Sequence, residues 1–204
     1  MKKKLFIVFL ILCVLVPATL SAKIFDLSLG ANAQFKPDFA EISGGGDVGE
    51  LFSDFSNYSF GADLRMKILL AEVDVVTTFG KAANDDFQIS ALATAGVSFD
   101  LFGFTRLGVG LGPNFSVLFG DGDPQVLDYN DTPVDFDNFG DAFIKSPLAL
   151  RATADFKIGK KIWLGASYTL NTNYTFEKYD ELDKLFNANW DSGSFGVSFL
   201  FSFF

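Results

Sequence analysis

Residues 58–79 read YSFGADLRMKILLAEVDVVTTF, and the period of this stretch decides the fold. Tyr58, Phe60, Ala62, Leu64, Met66 and Ile68 alternate with Ser59, Gly61, Asp63, Arg65 and Lys67. After Leu69 and Leu70 the apolar series resumes at Ala71, Val73, Val75, Thr77 and Phe79, against Glu72, Asp74, Val76 and Thr78. Successive side chains of an extended strand point to opposite faces, so a period of two gives one apolar face and one polar face. Two such runs broken at two residues predict an antiparallel hairpin. With the turn at residues 69–70, Lys67 faces Glu72 and Arg65 faces Asp74 across the ladder.

The same alternation recurs outward from this hairpin. It runs over 25–35, 87–99, 107–117, 144–158, 162–176 and 195–203, which makes eight strands in all. Tight turns at 69–70, 100–104 and 159–161 alternate with longer loops at 36–57, 80–86, 118–142 and 177–190. Short turns at one end and long loops at the other describe an all-β, eight-stranded antiparallel up-and-down barrel over residues 23–204. Both chain ends then lie on the short-turn side.

The first 22 residues carry a different signal. Lys2, Lys3 and Lys4 precede an apolar run from Leu5 to Val16, and Pro17–Ala22 supplies small residues. The run is too short to span a bilayer comfortably and has the length of a signal-peptide core. Residues 1–22 are therefore expected to be a signal peptide cleaved near Ala22. A lipoprotein reading at Cys13 is disfavoured, because Leu12 is too large beside the cysteine.

Composition says where such a barrel resides. The chain is 49% hydrophobic with 26 Phe and a mean hydropathy of +0.27, yet its net charge is −9. A soluble barrel hides its apolar face; a membrane barrel shows it to lipid. Here the polar face is mostly Gly, Ser, Thr and Asn, which suit a narrow lumen, while the large residues on the other face exceed what an eight-stranded interior holds. Aromatics on that face cluster near both ends, as bilayer interfaces select. The expectation is a transmembrane barrel in contact with outer-membrane lipids.

Composition also excludes functions. The chain has no His, and its single Cys, Cys13, lies in the leader. Disulfides, Cys or His metal sites and catalysis by imidazole or thiolate are excluded in the mature protein. An acidic chain repels phosphate backbones, so nucleic acid is not an expected partner. No enzymatic activity and no cofactor are expected.

The chain ends FGVSFLFSFF at 195–204. Its final strand, with Phe199, Phe201 and Phe203 in phase and Phe204 out of phase, resembles the C-terminal assembly signal of bacterial outer-membrane barrels. Together with the leader and the strand count, the mature chain resembles the small outer-membrane barrels typified by OmpA, OmpX and OmpW. That resemblance implies a monomeric protein of the bacterial outer membrane, inserted by the outer-membrane assembly machinery.

Three constellations are candidates for function. The first is an inward-facing charge cluster of Asp63, Arg65, Lys67, Glu72, Asp74, Arg106, Lys145, Arg151, Asp155 and Lys157, in which bases outnumber acids. Charges in a narrow lumen must pair, which reads as a plug, or else line a narrow wet path. The second is Pro113 and Pro147 on adjoining strands, near the ends of the third loop. Proline gives no N–H to the ladder, so the pair predicts either an early end to pairing or a lateral seam open to the bilayer. The third is the set of acidic loops, which hold most of the 25 acidic residues. The third loop (Asp121, Asp123, Asp128, Asp131, Asp135, Asp137, Asp141) offers calcium-type oxygens without EF-hand spacing. The expected role is surface exposure of these loops to a ligand, a host factor or the lipopolysaccharide layer, or a membrane-structural role. The alternative is a narrow channel, or a lateral exit for small hydrophobic solutes of the kind the OmpW resemblance implies.

Overall fold

The computed structural model describes residues 24–36, 48–82, 86–130, 132–188 and 193–204. The expected signal peptide, its cleavage point at Ala22 and Asp131 of the third loop lie outside them.

Eight long antiparallel strands close into a barrel. They are β1 (Phe25–Phe35), β2 (Tyr58–Ile68), β3 (Ala71–Lys81), β4 (Phe87–Leu101), β5 (Thr105–Phe119), β8 (Pro147–Lys157), β9 (Ile162–Thr175) and β10 (Ser194–Ser202). Each pairs with its neighbours in the chain, and β1 pairs with β10 from Ser28↔Ser202 to Phe35↔Phe195, which closes the sheet. Two short strands, β6 (Gln125–Leu127) and β7 (Pro133–Val134), belong to the third loop. Helices α1 (Val48–Ser53) and α2 (Phe139–Lys145) are also loop elements, and no helix among the described residues is long and apolar enough to cross a membrane.

The period of two builds this wall directly. Along β10 every second residue is buried, and Phe195, Val197, Phe199 and Phe201 point outward. The expected register holds at the first tight turn, with Lys67↔Glu72 and Arg65↔Asp74. Leu69 there adopts φ 57°, a left-handed conformation that costs a non-glycine residue roughly 1–2 kcal/mol. Its N–H bonds to Ile24 O at 2.8 Å, and Ser98 N bonds to Leu70 O at 2.8 Å, so neighbouring strands hold the turn. At the second turn Phe102 and Gly103 both have positive φ, the conformation whose twist matches a hairpin.

One boundary differs from the sequence expectation. The alternation from 144 to 158 suggested a strand starting at Ile144, but residues 139–145 form α2 and β8 begins at Pro147. The helix carries local signals that outweigh the alternation. The Asn138 side chain caps its start, accepting from Asp141 N at 3.2 Å, and Asp141 and Lys145 pair at i,i+4.

Candidate functional site in the barrel lumen

The lumen is layered. At the loop end Gln34, Thr78, Ser90, Asn114, Ser116, Thr169, Asn171 and Ser194 line an open cup, with Lys36 beside them. Its groups bond to one another: Ser90 and Ser116 hydroxyls lie 2.7 Å apart, and Asn114 Nδ2 donates to Asn171 Oδ1 at 2.8 Å. Val76 and Leu92 floor the cup and form with Ala149 a buried apolar cluster on β3, β4 and β8.

Below this cluster lies an ion network. Arg65 Nη1 donates to Asp155 Oδ1 and Oδ2 at 2.6 and 2.5 Å, and its Nη2 donates to Asp63 Oδ2 at 3.0 Å. Arg151 Nη2 reaches the same Asp63 oxygen at 3.0 Å, and Ser198 Oγ donates to it at 2.6 Å. Asp74 stands 3.5 Å from Arg65 Nε and 3.4 Å from Arg151 Nε. Both arginine side chains are 0% exposed. Desolvated charges persist only where such pairing is near complete.

A second network occupies the turn end. Arg106 Nε donates to Asp100 Oδ1 at 2.8 Å and Nη2 to Asp26 Oδ2 at 3.0 Å, while Lys67 Nζ lies 2.8 Å from Asp100 Oδ2. The Trp163 ring sits against two cations, with the Arg106 guanidinium 4.8 Å and Lys157 Nζ 5.5 Å from its centroid.

Nine of the ten charges expected in the lumen lie there: Asp63, Arg65, Lys67, Glu72, Asp74, Arg106, Arg151, Asp155 and Lys157. Lys145 does not. It lies on α2, where Nζ donates to Asp141 Oδ2 at 2.8 Å and to Asp135 O at 2.9 Å. Two acids absent from the expected set complete it. Asp26 is on the polar face of β1 opposite Lys67, and Asp100 falls opposite Arg106 once the second turn tightens to 102–104. The expected excess of bases is thereby reversed. Asp26, Asp63, Glu72, Asp74, Asp100 and Asp155 outnumber Arg65, Lys67, Arg106, Arg151 and Lys157 by one. The partner of Lys67 also differs: register puts Glu72 opposite, but the ammonium reaches past it to Asp100.

The two prolines come together. The β5–β8 ladder ends at Pro113↔Leu148, next to Pro147, and a register shift follows between Pro147 and Ala149 on the β9 side. Beyond Pro113, β5 pairs with β6 instead, through Val117↔Val126 and Leu118↔Gln125. Helix α2 packs over this place, with Phe139 5.4 Å from Phe115, Phe143 stacked 5.4 Å from Phe176, and Ala142 fully buried. Pairing thus ends early, and loop elements cover the parted strands.

At the C-terminus, Phe199, Phe201 and Phe203 are exposed on the outer wall, and the Phe204 ring lies 5.4 Å from Phe25. In the third loop, Asp128 Oδ1 accepts from Asn130 N and Thr132 N at 2.8 and 3.0 Å, and Asp135 Oδ1 accepts from Gln125 Nε2 at 2.8 Å. These carboxylates fold the loop on itself. Among the described residues no group of three or more His, Cys, Asp or Glu is arranged to hold a metal ion. The Lys145 ammonium hydrogen-bonded to Asp141 holds that carboxyl below the usual range, and Lys184 acts likewise on Glu181.

No protein-family model and no curated protein matches the chain. Several solved structures resemble it. The N-terminal β-barrel domain of Pseudomonas aeruginosa OprF aligns with a TM-score of 0.53 at 11% identity, over 87% of this chain and 97% of that one. Neisserial surface protein A aligns with a TM-score of 0.42 at 14% identity, over 88% and 96%. Identities this low speak for architecture alone: the chain is a closed eight-stranded antiparallel β-barrel with the fold of the OprF N-terminal domain.

Proposed function

We propose that the protein is an integral barrel of the bacterial outer membrane whose interior is sealed and whose loops do its work at the cell surface, without enzymatic activity. The sealed lumen carries this reading. A solute entering the cup meets the apolar cluster of Val76, Leu92 and Ala149, then two guanidiniums already bound by carboxylates. Apolar side chains resist wetting, and Arg65 and Arg151 behind them are already engaged by Asp63, Asp74 and Asp155. The wall supports the location. Phe25, Phe99, Phe156 and Phe201 are exposed toward the turn end, and Phe60, Phe79, Phe87 and Phe195 toward the loop end, the two-girdle pattern of a bilayer-spanning barrel. In this reading the terminal Phe199, Phe201, Phe203 and Phe204 serve recognition by the assembly machinery, and the acidic loops meet a surface ligand, a host factor or lipopolysaccharide.

The test is extraction and surface digestion. The protein is expected to leave membranes only with detergent, to migrate faster on gels unheated than boiled, and to lose loop segments to protease added to intact cells. Release as an aqueous periplasmic monomer contradicts the proposal.

A lateral route is the second reading, favoured by the parting of β5 and β8 at Pro113 and Pro147. A disulfide between β5 and β8 near the prolines tests it. Uptake of a hydrophobic solute is expected to stop when the seam is locked; unchanged uptake removes the reading.

A further inference from the structure

Below the cup, the described lumen residues include one acid more than bases, and Glu72 is the acid without an ion pair. It is 6% exposed, its Oε2 is buried without a hydrogen-bond partner, and among the described residues it forms no ion pair. Register places Lys67 beside it, yet that ammonium is committed to Asp100. A buried carboxylate without a partner is costly, so a native fold that keeps one supplies something for it to bind.

The surroundings of Glu72 are built to receive a small body. It faces a hollow lined by Glu72, Asp74, Thr94, Arg151, Thr153 and the bare backbone of Gly96 and Gly110. A Cβ built on neighbouring Gly108 would stand 2.5 Å from Thr153 Oγ1 and 2.9 Å from Glu72 Oε1, so both oxygens converge on the space that this glycine leaves open. Other oxygens here also lack hydrogen-bond partners: Thr153 Oγ1 and Ser98 Oγ, and Asp74 Oδ1, which is held only by its ion pair with Arg65 Nε at 3.5 Å. Two carboxylates and nearby hydroxyls are hard oxygen donors, the set that suits a hard cation. Arg151, with Nη1 unbonded, lines the same hollow and opposes a second positive charge. A divalent ion moreover demands more oxygens than converge here.

We infer that Glu72, with Asp74, Thr153 and the glycine gap of β4 and β5, forms a buried site for a single monovalent cation of sodium size. The bound ion neutralises the unpaired acid and ties β3 to β5 and β8, so it acts as a structural counter-ion of the barrel.

The test compares urea unfolding and refolding of the detergent-folded barrel in sodium chloride and in N-methylglucamine chloride at equal ionic strength. Refolding in each salt removes any question of how the ion enters. With sodium tenfold above its dissociation constant, the folded-to-unfolded ratio of the wild type is expected to rise about tenfold, with saturation. Glu72→Gln, which keeps the shape and removes the charge, is expected to show the same ratio in both salts. Gly108→Ala, whose methyl enters the gap, is expected to lose the sodium preference as well. A wild type indifferent to the cation overturns the proposal and leaves the hollow to water; so does a Glu72→Gln barrel that keeps the preference. Either failure leaves the membrane reading intact, since detergent extraction and loop digestion decide that one.

Discussion

Arg65 on β2 and Asp155 on β8 lie 90 positions apart in the chain and join face to face across the lumen, through two hydrogen bonds of 2.6 and 2.5 Å from one guanidinium nitrogen. In the closed strand order these strands stand on opposite walls of the barrel. Arg65→Ala strands Asp155 and weakens the hold on Asp63, and is expected to destabilise the barrel by about 3–5 kcal/mol. Adding Asp155→Ala is expected to restore part of that loss, because the two residues act as a unit. Urea unfolding of the four members of the cycle in detergent measures the coupling; strict additivity contradicts it.

Asp100 serves both Arg106 and Lys67, whereas Glu72 serves neither. In sodium-free buffer Asp100→Ala is therefore expected to cost more stability than Glu72→Ala, in the range of 3–5 kcal/mol for loss of a buried partner, moderated by the partial exposure of Asp100 (~13%). A larger loss from Glu72→Ala places Lys67 with its cross-strand neighbour instead.

Planar-bilayer recording is expected to find the wild type silent. Val76→Ser combined with Leu92→Ser wets the apolar cluster but leaves the Arg65 and Arg151 network in place, so it too is expected to pass little current. Small stepwise conductance is expected only when Arg65→Ala is added. Steady openings of the unaltered protein contradict the sealed lumen.

The Asp141–Lys145 pair gives the third loop a pH dependence. Lys145 holds the Asp141 carboxyl below its ordinary value. The stabilisation is thus full above the unfolded carboxylate range and is lost as pH falls through the lowered folded value. The protection of amides 143–145, taken relative to intrinsic exchange at each pH, is expected to fall on acidification and, in Asp141→Asn, to become independent of pH in that range.

Ala142 is fully buried where α2 covers the parted strands. Ala142→Arg is expected to lift the helix from Phe115 and Phe176 and open residues 120–146 to protease, while heat-modifiability of the barrel persists. Unchanged digestion shows that the helix is held elsewhere.

The wall was legible in the sequence because its rule is local: alternation names the faces, and tight turns fix the register, as at Lys67 and Glu72. The lumen was legible only in part. Knowing that Arg65 points inward does not say which carboxylate it meets, because partners such as Asp155 arrive from across the barrel. Asp26 was on the right face but escaped the charge count, and Asp100 was hidden by a turn drawn too long. Lys145 misled because the alternation ran on past Pro147, while the cap at Asn138 and the i,i+4 pair are helical signals that a search by twos passes over. Glu72 was read through its ladder neighbour; its isolation depends on the reach of the Lys67 side chain, which no register records.

The closure of β1 on β10 has a consequence for assembly. These two strands are the first and the last of the sheet in chain order, so the sheet is an open ribbon until they pair. On that ribbon Arg65 and Asp155 are far apart, and the charges of the future interior lie on a surface that water reaches. Hydration keeps them comfortable there, and dehydration becomes tolerable only when curvature brings opposite walls within bonding distance. Pairs such as Arg65–Asp155 need closure, so a sheet closed in a slipped register would trap mismatched charges. The cross-barrel pairs therefore favour the native register at the seam.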